Sequence, residues 1–144
     1  MDAANRPTPT DESLAQIVVE SIGAVAPGSR CLACWFFGSR SAGTPDAHSD
    51  LDLAVLCQPP LDPVATFDAA QRIAVATGIE TDLVELSRAS GVLAMEVILK
   101  GRRIVEADPA AAETFATTAF SEFVSFEELR RPVIEAFIAS RKAG

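Results

Sequence analysis

Two aspartates separated by a single leucine, Asp50-Leu51-Asp52, follow a Gly38-Ser39 pair with ten residues between. Together these residues describe a place where phosphate and a divalent cation could meet. A glycine and a serine at the end of an apolar run expose backbone N–H groups that can hold phosphate. Gly38 lets a ligand approach the main chain closely, and Ser39 adds a hydroxyl donor. Asp50 and Asp52 stand at the start of a second apolar run. On a strand, positions i and i+2 share one face and lie roughly 6.5–7 Å apart. Leu51, Leu53 and Val55 then turn to the core. Two carboxylates on one face repel unless a cation lies between them. Mg²⁺ suits such a place, because it takes one or two carboxylates together with substrate phosphates.

A third acid arrives later. In Glu80-Thr81-Asp82-Leu83-Val84-Glu85-Leu86, Asp82 interrupts a β-branched, apolar run, where a buried and unpaired carboxylate would be costly. Glu85 falls on the opposite face and is the weaker candidate, while Glu80 shares the face of Asp82 and remains a spare. His48, the sole histidine, reads as an exposed loop residue rather than a base. Lys100, Arg102 and Arg103 read first as a solvated helix end, with phosphate or partner contact as the alternative.

The elements that must position these residues can be read from hydrophobic spacing. Asp11 is placed as the N-cap of a helix through Leu14, Ile17, Val18 and Ile22, stopped by Pro27-Gly28. Cys31 to Phe37 is a central strand, and the small-residue turn from Gly38 to Gly43 leads into a polar loop. Leu51 to Cys57 is the second strand. Val64 to Thr77 is a helix closed by Gly78, and Ile79 to Leu86 is the third strand. Gly91 to Leu99 reads as a short helix and Arg102 to Glu106 as an edge strand. Residues 109–141 form a C-terminal helical segment that Pro132 is expected to kink or divide. Trp35 belongs to the core. The series Phe115, Phe120, Phe123 and Phe126 reads as internal packing, with a docking seam as the alternative. The alternation predicts a single α/β domain over residues 1–144, with one central mixed sheet flanked by helices.

Bulk properties narrow the classes of function. The chain has 144 residues and a net charge of −8, with 20 acidic against 12 basic side chains. That balance argues against a broad duplex-binding surface, which needs an excess of Lys and Arg. No apolar run reaches the ~18 residues of a membrane span. Residues 1–10 are polar and read as a flexible leader without the order of a signal peptide, so a cytoplasmic location is expected. The three cysteines, Cys31, Cys34 and Cys57, are expected as buried core residues. Cys31 and Cys34 lie three apart on a strand, which would send them to opposite faces.

Gly38-Ser39 followed by Asp50-Leu51-Asp52 resembles the signature of the DNA polymerase β nucleotidyltransferase superfamily. The Ser49-to-Leu53 context, Thr81 to Leu86 and Leu99 to Glu106 are similar to its minimal nucleotidyltransferase branch, so the likeness spans about half the chain, Ala33 to Glu106. The resemblance implies the polymerase β-like fold and transfer of a nucleoside monophosphate from a triphosphate, with two Mg²⁺ ions and ATP as substrate. It implies that Asp50, Asp52 and Asp82 are the catalytic and metal-binding residues, with Asp82 helping to deprotonate the attacking hydroxyl. Gly38 and Ser39 would hold the β- and γ-phosphates, and Ser49 joins them as a nucleotide-binding candidate. Relatives often carry a basic residue where this chain has Ala42, and Arg40 is expected to supply that charge. Chains of this size and acidity resemble antitoxins that transfer AMP to a tyrosine of a small helical HEPN-domain ribonuclease. This chain has no tyrosine of its own. The alternatives are a small-molecule acceptor of the aminoglycoside type, or a non-catalytic antitoxin that acts by binding alone.

Overall fold

The computed structural model describes residues 6–43, 49–125 and 127–143. Helix α1 (Asp11–Val25) begins behind Thr10, whose Oγ1 accepts the Ser13 N–H at 3.2 Å. Thr10 is therefore the N-cap. Asp11, expected in that role, is instead the first helical residue and is free to pair elsewhere. Strand β1 (Arg30–Phe37) runs into a single helical turn, α2 (Gly38–Ser41), and β2 (Leu51–Gln58) follows. Asp62 caps α3 (Pro63–Thr77), whose last turn closes on Gly78 in the left-handed conformation. Strand β3 (Thr81–Glu85), a 3₁₀ turn (Leu86–Arg88), α4 (Gly91–Lys100) and β4 (Arg102–Glu106) come next, then α5 (Pro109–Val124) and α6 (Glu127–Ala143).

Among the described residues four strands form one mixed sheet in the order β3-β2-β1-β4. β1 pairs antiparallel with both β2 and β4, and β2 pairs parallel with β3. Central strands buried on both faces read as continuous apolar runs, which is why β1 and β2 are legible as strands. One face packs Leu51, Leu53, Val55 and Leu83 against Leu14, Val18 and Ile22 of α1 and Ile73 of α3. The other packs Ala33, Trp35, Ala54 and Leu56 against Ala94 and Val97 of α4 and Ala112 of α5. Each fully buried Leu, Ile or Phe contributes roughly 1.5–3 kcal/mol by leaving water. A smaller cluster of Met95, Phe123 and Phe137 fixes α6 on α4 and α5, with Phe120 stacked on Phe137 at 4.1 Å.

Three expectations are revised. Cys31 and Cys34 share one face with Cys57, because a β-bulge between Cys31 and Ala33 inserts an extra residue and reverses the alternation. All three thiols are free and buried. The C-terminal helical segment divides between Val124 and Glu127, while Pro132 lies inside α6. So near the helix start, the missing N–H removes one early bond rather than splitting the segment. Finally, part of the stretch read as a flexible leader is bonded to the domain: the Arg6 carbonyl and Thr8 Oγ1 both accept from Arg40. Phe115, Phe120 and Phe123 pack internally as expected, and Phe126 lies outside the described residues.

Candidate active site

Where β1 ends, the chain turns at once into α2, and Gly38 takes φ +80°. That left-handed angle favours glycine. A second constraint comes from the neighbouring strand: a Cβ on Gly38 would lie 2.1 Å from Asp52 Oδ2. Any side chain there would push the carboxylate away. The main chain of the glycine turn and the Asp52 carboxylate thus lie against one another.

Asp50 is exposed just before β2, and Asp52 is half-buried at its second position. Asp82 is exposed on β3 and is the register partner of Asp52. Leu51 and Leu53 are buried on the opposite face, as the alternation requires. The Asp52 carboxyl is held above its ordinary value, first by burial and then by the negative charges of Asp82, Asp50 and Glu96. Three further acids therefore act on Asp52 at this end of the sheet. Glu96, on α4, joins the cleft without a motif in the sequence to mark it. The only signal for it is the i,i+4 spacing to Lys100, which an ordinary solvated helix face would also show. The two pair at 3.7 Å and, with Phe37, Gly38, Ser39, Ala42 and Asp52, line a cleft of about 720 Å³.

Arg40 departs from expectation. Its side chain is buried, and Nε donates to the Ser49 carbonyl at 2.6 Å while Nη1 donates to the Arg6 carbonyl at 2.9 Å and to Thr8 Oγ1 at 3.3 Å. Successive residues of a helical turn project roughly 100° apart, so Ser39 and Arg40 face different ways. The guanidinium is engaged in clamping the leader and the β2 approach rather than turned to phosphate. Ser49 is held twice, by Arg40 through its carbonyl and by Ser39, whose Oγ donates to Ser49 Oγ at 2.9 Å. It fixes the chain one residue before Asp50.

The remaining candidates have structural duties. Glu85 is buried, and its carboxylate accepts the N–H groups of Leu61 at 3.2 Å and Ser87 at 3.1 Å. Arg102 grips Asp11 through Nε at 2.9 Å and Nη2 at 3.0 Å, bonds to Ser41, and lies over the Phe36 ring. Arg103 pairs with Glu106 and Glu113. Glu80 is exposed, and its carbonyl accepts the Leu51 N–H at 2.9 Å. His48 lies outside the described residues. Among the described residues no group of three or more His, Cys, Asp or Glu side chains is placed to hold a metal ion by itself. An all-carboxylate donor set of this openness fits a hard cation that fills most of its shell with phosphate and water, as Mg²⁺ does.

Comparison with known proteins bears on the same stretch. Residues 22–110 match the family described as Polymerase beta, Nucleotidyltransferase. The chain is 34% identical over 111 residues to the protein adenylyltransferase MntA of Shewanella oneidensis, covering 76% of this chain and 78% of that protein. A crystal structure described as a toxin-antitoxin with AMP-PNP superposes with a TM-score of 0.70 at 29% identity, covering 86% of this chain and 98% of its own. A structure of tri-AMPylated Shewanella oneidensis HEPN toxin in complex with MNT antitoxin matches with a TM-score of 0.67 at 26% identity, covering 90% and 99%. With the glycine turn, the paired acids and the sheet order all falling inside the matched stretch, the chain belongs to the polymerase β nucleotidyltransferase family.

Proposed function

We propose that this nucleotidyltransferase is an adenylyltransferase antitoxin, which moves AMP from ATP to a tyrosine hydroxyl of a HEPN-domain toxin. The observation that carries the reading is the contact of Gly38 with Asp52, register partner of Asp82, in a chain akin to MntA. In the proposed step the phenolic oxygen forms a bond to the α-phosphorus of ATP. The bond from that phosphorus to the oxygen bridging to the β-phosphate breaks, and pyrophosphate leaves with the electron pair. Asp82, exposed on β3, takes the phenolic proton. The Gly38-Ser39 main chain and the Ser39 hydroxyl receive the β- and γ-phosphates. Asp50, Asp52 and Asp82 would hold Mg²⁺, two ions in this reading, which supplies charge neutralisation when bound.

Arg40 contributes indirectly, by keeping Ser49 and so Asp50 in place. Among the described residues no helix is long and apolar enough to cross a membrane. The reading assigns the reaction to the cytoplasm, where ATP is plentiful and thiols stay reduced.

Co-expression with a HEPN-domain toxin, followed by intact-mass measurement, tests the proposal. The expected result is one or more AMP adducts on the toxin, lost in Asp52→Asn. A complex without any adduct would favour inhibition by binding alone. Absence of both would point to a small-molecule acceptor.

A further inference from the structure

Strand β3 is an edge of the sheet. The Leu51 N–H bonds to the Glu80 carbonyl, and Leu51 is in register with Thr81. In a parallel ladder this directs the N–H and C=O groups of Asp82 and Val84 to β2. Those of Thr81, Leu83 and Glu85 point outward. Natural proteins usually blunt such an edge with lysine, proline or a covering element. The opposite edge, β4, follows that practice, since it carries Arg102 and Arg103, which reach across to Asp11 and Glu113. Thr81-Asp82-Leu83-Val84-Glu85 contains neither lysine nor proline. Instead it forms the floor of an open trough of about 610 Å³. Thr66 and Phe67 of α3 make one wall, and Ser90 and Leu93 at the start of α4 the other. Phe67 is 63% exposed there, a large ring left in water beside the outer edge of β3.

The trough is continuous with the reaction site, because Asp82 is part of its floor and is also the register partner of Asp52. We propose that the β3 edge is the acceptor-docking strip: an extended segment of the toxin adds to the sheet beside β3 and sets its tyrosine opposite Asp82. This rests on the adenylyltransferase reading and names how its protein substrate is held. Side chains opposite one another on adjacent strands share a face. A tyrosine across from Asp82 therefore stands on the same face as Asp52, with its hydroxyl beside the carboxylate that takes its proton. With the segment running parallel to β3, its next residue lies opposite Leu83 on the α3 side, where Phe67 and Ala70 receive an apolar side chain. The one after it returns to the α4 side, against Val84 and Leu93. The segment so defined is an extended stretch with tyrosine followed by two apolar residues. Main-chain bonds to Leu83 supply affinity, and the walls supply choice.

Two variants test the strip without touching the acids. Thr81→Pro removes one outward N–H and fills its place with a ring, at the first residue of the strand, where proline is tolerated. Phe67→Glu alters an exposed wall. The probes are an intact HEPN-domain toxin and a short synthetic peptide centred on its acceptor tyrosine. Each variant is expected to raise the KM for acceptor about tenfold while ATP affinity stays within about twofold. Hydrogen exchange at the Leu83 amide is expected to slow in the complex with either probe. An unchanged acceptor KM in both variants, or a Leu83 amide that exchanges equally fast with and without toxin, overturns the strip even where wild type forms AMP adducts. Failure of wild type to form adducts is the separate failure of the adenylyltransferase reading. A homodimer that Thr81→Pro converts to monomer would assign the edge to a second copy and likewise overturn the proposal.

Discussion

At the scale of single residues, the site depends on one backbone position and one carboxylate. Gly38 combines φ +80° with a contact that leaves no space for a methyl group against Asp52. Gly38→Ala is expected to cost about 1–2 kcal/mol of stability from the backbone angle. Displacement of Asp52 should reduce transfer about 100-fold or more, since misplacements near 1 Å have that effect. Thermal melts and single-turnover assays would check both parts. Asp52 itself opposes folding in its charged form. Its native value is raised above the ordinary 3.8, so the native state binds its proton more tightly than the unfolded state. Stability from this group therefore falls as pH rises from 3.8 through the native value, and the penalty is complete above it. Asp52→Asn is expected to abolish transfer yet raise Tm near neutral pH in magnesium-free buffer. The same variant should flatten the acid side of the Tm–pH profile, and Mg²⁺ with ATP should raise the Tm of wild type alone.

At the scale of elements, Arg40 joins three segments that share no regular secondary structure: the leader, α2 and the approach to β2. Arg40→Ala leaves the Ser49 and Arg6 carbonyls without their charged donor, and a loss of about 2 kcal/mol is expected from denaturant unfolding. Arg40→Lys should restore little, because one ammonium cannot span the same fork of acceptors. These segments also mark the limit of what the chain discloses before folding. Gly38, Ser39, Asp50, Asp52 and Asp82 are legible because a strand has a period of two, and a polar residue at an apolar position stands out. The orientation of Arg40 is not legible, since it depends on where the leader returns. Nor is Glu96, which reaches the cleft only because α4 crosses the sheet at that height. The cysteine faces are not legible for a local reason: a single bulge residue is invisible to a rule of alternation.

At the scale of the whole molecule, stability is unevenly distributed. The sheet and its two helical layers form the large core, while α6 is retained by a small cluster around Phe137. Phe137→Ala is expected to cost about 3 kcal/mol at that seam. Faster amide exchange should then appear across α6 while β1 and β2 remain protected. The bulge in β1 has a consequence of its own. By gathering Cys31, Cys34 and Cys57 into one dry pocket, it gives the molecule an internal clock. A water-soluble disulfide reagent meets no sulfur until the sheet parts, so the rate of colour release counts openings of the core. Saturating Mg²⁺ and ATP, at about 100 times their dissociation constant, should slow that clock about 100-fold, because each occupied molecule must first let go of its nucleotide.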